Sequence, residues 1–165
     1  MRKAYCIIIL CLFVAVTFAQ NVAIINGKPI SNKEFMWFYK KNHGGNANVS
    51  YKDLETYLNQ YINFKLKVLD AKEMGLDADT AYLSEVKNYE TSLAAQKRIA
   101  KSSAAYQMIM NEYKEAALMF NVSEIKIWNK SKDDQDKIES EWIEVLRKKY
   151  PIKINQNELK KLAKL

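Results

Sequence analysis

Between residues 51 and 74, Leu54, Tyr57, Leu58, Tyr61, Ile62, Leu66 and Leu69 recur at three- and four-residue steps, the spacing that lines one face of an α-helix. Ser50 and Asp53 stand at its start as side-chain caps, and Gly75 stands at its end, where a left-handed residue closes a helix at no steric cost. A stripe of this length is stable only when other elements cover it. The rest of the chain is suited to supply them, because just four glycines and two prolines interrupt 165 residues. The expected fold class is mainly α.

A smaller β component precedes the helices. Val22–Ile25 favours a strand and ends at Asn26-Gly27, the pair that best adopts the positive φ angles of a tight hairpin turn. Lys28–Ile30 is the expected return strand, short or at an edge because Pro29 cannot donate to a ladder. Ser31 and Glu34 have capping-box spacing, so an aromatic helix is expected through Phe35, Met36, Trp37, Phe38 and Tyr39, ending at His43-Gly44-Gly45. After Gly75, one stripe holds Tyr82, Val86, Tyr89 and Leu93, and a second, out of phase with it, holds Tyr106, Ile109, Met110, Tyr113, Ala117 and Phe120. Something is expected to interrupt the helix near residues 98–105, or two helices are joined there; as a joint, the helix would be kinked or continuous across Lys101-Ser102-Ser103. A further helix over residues 136–149 buries Ile138, Trp142 and Leu146 and stops at Pro151. Ile152–Ile154 then reads as a strand, and Asn155 with Glu158 opens a terminal amphipathic turn or helix. Strands this short are not stable alone, so Ile152–Ile154 is expected to pair with the hairpin.

The N-terminus reads as an export signal. Arg2 and Lys3 precede an apolar run from Ala4 to Val16, with Ala19 beyond it as a small cleavage-site residue. Residues 1–19 are thus expected to leave, and residues 20–165 to form one exported domain with no stable membrane span. Both cysteines, Cys6 and Cys11, lie in the signal, so disulfides, thiolate metal sites and cysteine nucleophiles are not expected after cleavage. From Gln20 onward 24 basic residues face 19 acidic ones. Lysine and glutamate are mixed along the helices, a pattern of solvated faces and not of a nucleic-acid footprint.

Little in the sequence suggests catalysis. His43 is the sole histidine, sits in a helix-ending loop and has no partner at ligand spacing. Asp77 with Asp79, and Asp133, Asp134 and Asp136, lack the glycine and distal glutamate of a calcium loop and read as helix caps. Neither a phosphate-binding glycine loop nor a Gly-x-Ser-x-Gly elbow occurs. The Asn-x-Ser matches at Asn48, Asn121 and Asn129 read as chance in an exported bacterial-type chain. No cofactor, metal or catalytic residue is expected.

Two long stretches carry a resemblance. "VAIINGKPISNKEF" and "YLNQYINFKLKVLDAKEMGLDADTAYLSEVKNYETSLAAQKR" resemble the N-terminal module of SurA-type periplasmic chaperones, whose relatives carry parvulin-type peptidyl-prolyl isomerase domains. "NEYKEAALMFNVSEIKIWNKSKDD" is similar to the segment on the C-terminal side of the parvulin insert, and "WIEVLRKKYPIKIN" resembles the returning segment that completes the module. The resemblance implies a helical chaperone module with a small β-hairpin completed by a C-terminal strand. In the family a parvulin domain lies between the segment of Gln96-Lys97-Arg98 and the helix of Tyr106 and Tyr113; here only a handful of residues join them, so isomerase activity is expected to be absent.

The functional expectation is a periplasmic holdase that binds unfolded or nascent exported proteins, outer-membrane proteins among them, without isomerase chemistry or nucleic-acid partners. The alternatives are an envelope adaptor that keeps the fold for a fixed partner or for self-association as a homodimer, and a residual isomerase. Met36, Trp37, Phe38, Met108, Met110 and Met119 are the expected client-binding residues, because flexible thioethers and broad rings adapt to varied apolar segments. Successive side chains of a helix diverge by ~100°, so the aromatic run cannot bury every member on one face.

Overall fold

A computed structural model of the chain describes residues 20–44 and 49–164; the expected signal at residues 1–19 and the Asn48 site lie outside them. In chain order the elements are β1 (Asn21–Ile25), β2 (Lys28–Ser31), α1 (Asn32–Asn42), α2 (Tyr51–Glu73), α3 (Thr80–Ala95), α4 (Ala104–Ser123), α5 (Gln135–Lys149), β3 (Ile152–Ile154) and α6 (Gln156–Leu162). They divide into two compact units. The chain up to Gln60 together with Pro151–Leu165 makes the first, and Tyr61–Tyr150 makes the second.

In the first unit, Asn26 and Gly27 adopt φ of 48° and 76°, the left-handed pair that matches a two-residue turn to the twist of its strands. β1 pairs antiparallel with β2 on one side, Ile25 opposite Lys28, and with β3 on the other, Ala23 opposite Ile154 and Ile25 opposite Ile152. The sheet order is β2-β1-β3, so the expected pairing of hairpin and C-terminal strand holds. Backbone bonds extend it at both ends, from Asn26 N to the Pro151 carbonyl and from Asn155 N to the Val22 carbonyl, each 2.8 Å. Pro29 falls on the edge strand, where its missing N–H costs no ladder bond.

The helices flanking this sheet begin on side-chain caps. Ser31 Oγ accepts from Glu34 N at 3.1 Å to start α1, and Asn155 Oδ1 accepts from Glu158 N at 3.2 Å to start α6. Val22, Ala23, Ile25, Ile30, Phe35 and Leu159 are buried. On α2, Leu54 and Leu58 are buried, which is the inward stripe the periodicity predicts.

In the second unit the same stripe continues through Tyr61, Ile62 and Leu66. Gly75 closes α2 at φ 75°, and Asp79 Oδ1 accepts from Ala81 N and Tyr82 N to cap α3. α3 packs on α4, with the Tyr89 and Tyr113 rings stacked 3.6 Å apart and 2° from parallel. Between them the helix is interrupted, as the phase slip implies, and the expectation of a kinked or continuous helix is corrected. α3 stops at Ala95, Lys97 turns into the left-handed region at φ 51°, and Ser103 starts α4 by accepting from Tyr106 N at 3.2 Å. A left-handed residue cannot continue a right-handed helix, so the slip in phase is a boundary between two helices.

Candidate functional site

The second unit carries an exposed aromatic pair at the end of α4. There the helix widens into one π-helical turn, Glu124–Trp128, in which Asn129 N reaches back to the Glu124 carbonyl at 3.2 Å. Such a turn rotates the side chains beyond it away from the α-helical phase. Ile127 is thereby 1% exposed, while Ile125 and Trp128 are left at 47% and 42%. Phe120, expected on the buried stripe, is instead 53% exposed. Its ring meets Trp128 edge to face, with centroids 4.7 Å apart.

Polar side chains fix this turn from beneath. Lys126 Nζ pairs with Asp70 Oδ2 at 2.8 Å, and Trp142 Nε1 donates to the same oxygen at 3.0 Å. The Trp142 ring also faces two ammonium groups, Lys126 at 5.4 Å and Lys67 at 5.3 Å from its centroid. Lys67 in turn pairs with Glu139. Two cations against one indole, each with its own carboxylate, hold the turn to α2 and α5. Gln135 Nε2 donates to the Trp128 and Lys130 carbonyls and ties the next segment to it.

The six expected client residues fall three in each unit. On α1, Phe35 and Tyr39 are buried and Met36, Trp37 and Phe38 are half-buried. The divergence of neighbouring side chains around the helix thus leaves these three at the margin of the core, and Trp37 Nε1 is buried without a hydrogen-bond partner. On α4, Met108 and Met119 are half-buried, Met119 Sδ accepting from Ser123 Oγ at 3.5 Å, whereas Met110 is 4% exposed and sits in the core. Phe120 and Trp128 are more exposed than any of the six, although the sequence periodicity places Phe120 on the apolar stripe of α4. Nothing in the local residue pattern marks a π-helical turn.

The titratable groups serve local structure. His43 caps α1, its Nδ1 2.9 Å from the Tyr39 carbonyl, and its ring stacks on Tyr39 with centroids 4.2 Å apart. Tyr113 Oη donates to Glu85 at 2.9 Å; burial first, then that carboxylate, raises the phenol above its ordinary value. Glu158 accepts from Lys161 Nζ at 2.5 Å and from Asn32 Nδ2 at 2.8 Å, and these bonds hold its carboxyl below the usual range. Among the described residues no three His, Cys, Asp or Glu side chains are grouped to hold a metal ion, and no helix is long and apolar enough to cross a membrane. Comparison with protein-family models, with curated proteins and with solved structures finds no match to this chain.

Proposed function

We propose that this chain is a periplasmic holdase of SurA-like type, which binds unfolded exported polypeptides and has no prolyl isomerase activity. The observation that carries this reading is the exposed Phe120–Trp128 pair, held open on a turn braced by Asp70, Lys126 and Trp142. Aromatic rings fixed at the surface lose little entropy on binding and accept varied apolar segments. The hairpin completed by β3 and the direct link at residues 96–103, too short to hold a parvulin domain, are consistent with the module that the resemblance implies.

The test is a paired substitution, Phe120→Ser with Trp128→Ser, assayed for suppression of aggregation of an unrelated unfolded protein and for thermal stability. Loss of suppression with an unchanged melting temperature supports the holdase. Full suppression by the double variant, or none by the parent chain, ends it. A proline-isomerisation assay on the parent chain is expected to give the uncatalysed rate.

A further inference from the structure

Charge and exposed apolar surface are segregated between the two units. From Gln20 onward the first unit holds nine lysines and no arginine against four carboxylates, a net +5, and all nine lysines are exposed. Its carboxylates are largely engaged: Asp53 accepts from Ser50, Glu55 from Tyr51, and Glu158 is buried beneath Asn32 and Lys161. The second unit holds fifteen basic and fifteen acidic residues and is neutral. It nevertheless carries all six of the exposed large apolar side chains found among the described residues, Met74, Leu83, Phe120, Ile125, Trp128 and Val145.

We infer that the first unit is an electrostatic capture surface for acidic unfolded polypeptides, so that clients of the proposed holdase are selected by negative net charge as well as by apolar content. The inference rests on the holdase reading and names its client class. Positive potential over a whole unit raises the encounter rate of anionic chains and disfavours cationic ones.

Three features favour a flexible acidic chain over other polyanions. The lysines are distributed over β2, α1, α2, β3 and α6, at Lys28, Lys33, Lys52, Lys153 and Lys160 among others. A flexible chain can track such a distribution, whereas a planar bilayer meets one face and finds no exposed large apolar side chain to insert among the described residues of this unit. Nucleic acid is disfavoured because the described residues of the unit include no arginine fork for phosphate and no exposed aromatic ring on which bases stack. Ammonium groups on flexible stems suit carboxylates scattered along a disordered polypeptide.

The experiment uses the chain from Gln20 and two fluorescent, permanently unfolded probe polypeptides of equal apolar content, one rich in Glu and the other rich in Lys. The expected result is about tenfold tighter binding of the acidic probe at low salt, with the gap closing above about 0.3 M salt. The variant Lys33→Glu, Lys40→Glu, Lys153→Glu, Lys160→Glu should abolish or invert the preference; should it fail to fold, glutamine at the same four positions must still shrink the preference. Equal affinity for both probes, or a preference untouched by these variants, overturns the inference while leaving the holdase standing. Binding of neither probe overturns both. Tighter binding to an oligothymidine probe, or to vesicles of phosphatidylglycerol and phosphatidylcholine in equal parts, overturns the assignment to acidic polypeptides.

Discussion

Lys126 Nζ lies 2.8 Å from Asp70 Oδ2, the oxygen that also accepts from Trp142 Nε1. Asp70 is therefore the shared acceptor of the π-helical turn and of α5, and it is 6% exposed. Asp70→Ala is expected to cost about 3 kcal/mol in urea unfolding, because it strands a buried indole donor and an ammonium over the same ring. Lys126→Ala, whose partner keeps the Trp142 bond, should cost less. The reverse order would show that Asp70 does not organise the turn.

Removal of residues 151–165 takes away β3 and α6 and exposes one edge of β1. The melting temperature should drop strongly, and the loss should appear first in amide exchange of Val22–Ile25. An unchanged melting curve would make the C-terminal segment an independent tail. Single strands of three to five residues have no stability of their own, which is why the effect should be large.

Met110 and Met108 lie two positions apart on α4 yet differ in burial. Met110→Ala should cost about 3 kcal/mol through the cavity it leaves, and Met108→Ala less than half as much, measured by denaturant unfolding. Similar costs would move Met108 into the core as well.

Glu158 gives the first unit a defined acid response. Lys161 first, then Asn32, lowers its folded-state pKa. Its stabilising contribution is therefore present above the unfolded value of about 4.3 and is lost as pH falls through the lower folded value. Below about pH 4.3 the parent melting temperature should fall more steeply than that of Glu158→Gln. Parallel curves would show that the carboxylate is not held by these partners in solution.

Short flexible insertions after Ser102 should be tolerated. Residues 101 and 102 lie between the left-handed Lys97 and the cap at Ser103, in a segment outside both helices. Insertions at such exposed links rarely disturb the elements they join. Loss of folding would mean that the spacing of α3 and α4 is set by this link and not by contacts such as Tyr89 on Tyr113.

Much of the fold is legible because its signals are local. Ser31 with Glu34, Asn155 with Glu158, Asp79 and Gly75 are caps whose chemistry acts within one turn of chain, and Asn26-Gly27 requires its turn geometry without tertiary help. The pairing of β3 with the hairpin was legible because a three-residue strand has no stability of its own and the hairpin is the one other β element the sequence offers. The exposed aromatic pair was not legible in its geometry. Phe120 continues a regular stripe in the sequence, and the Trp128 ring that meets it is placed by a change of helical phase that begins only at Glu124 and is braced by Asp70, a residue more than fifty positions earlier. The segregation of charge was hidden for a related reason: lysines and carboxylates alternate along the chain, and only the return of Pro151–Leu165 to the first unit separates their totals.

On the β3 side of the sheet, the partner of Ala23 is Ile154, 131 positions later. A chain synthesised in sequence order must therefore hold β1 with one open edge until Ile152–Ile154 is released. Closing so long a loop is entropically slow, but Tyr61–Tyr150 lies wholly inside it and can condense first, drawing its two ends toward each other. The final strand then acts as a completion latch: a polypeptide arrested or trimmed before Ile152 retains the neutral, aromatic-bearing unit while lacking the third strand of the lysine-rich one.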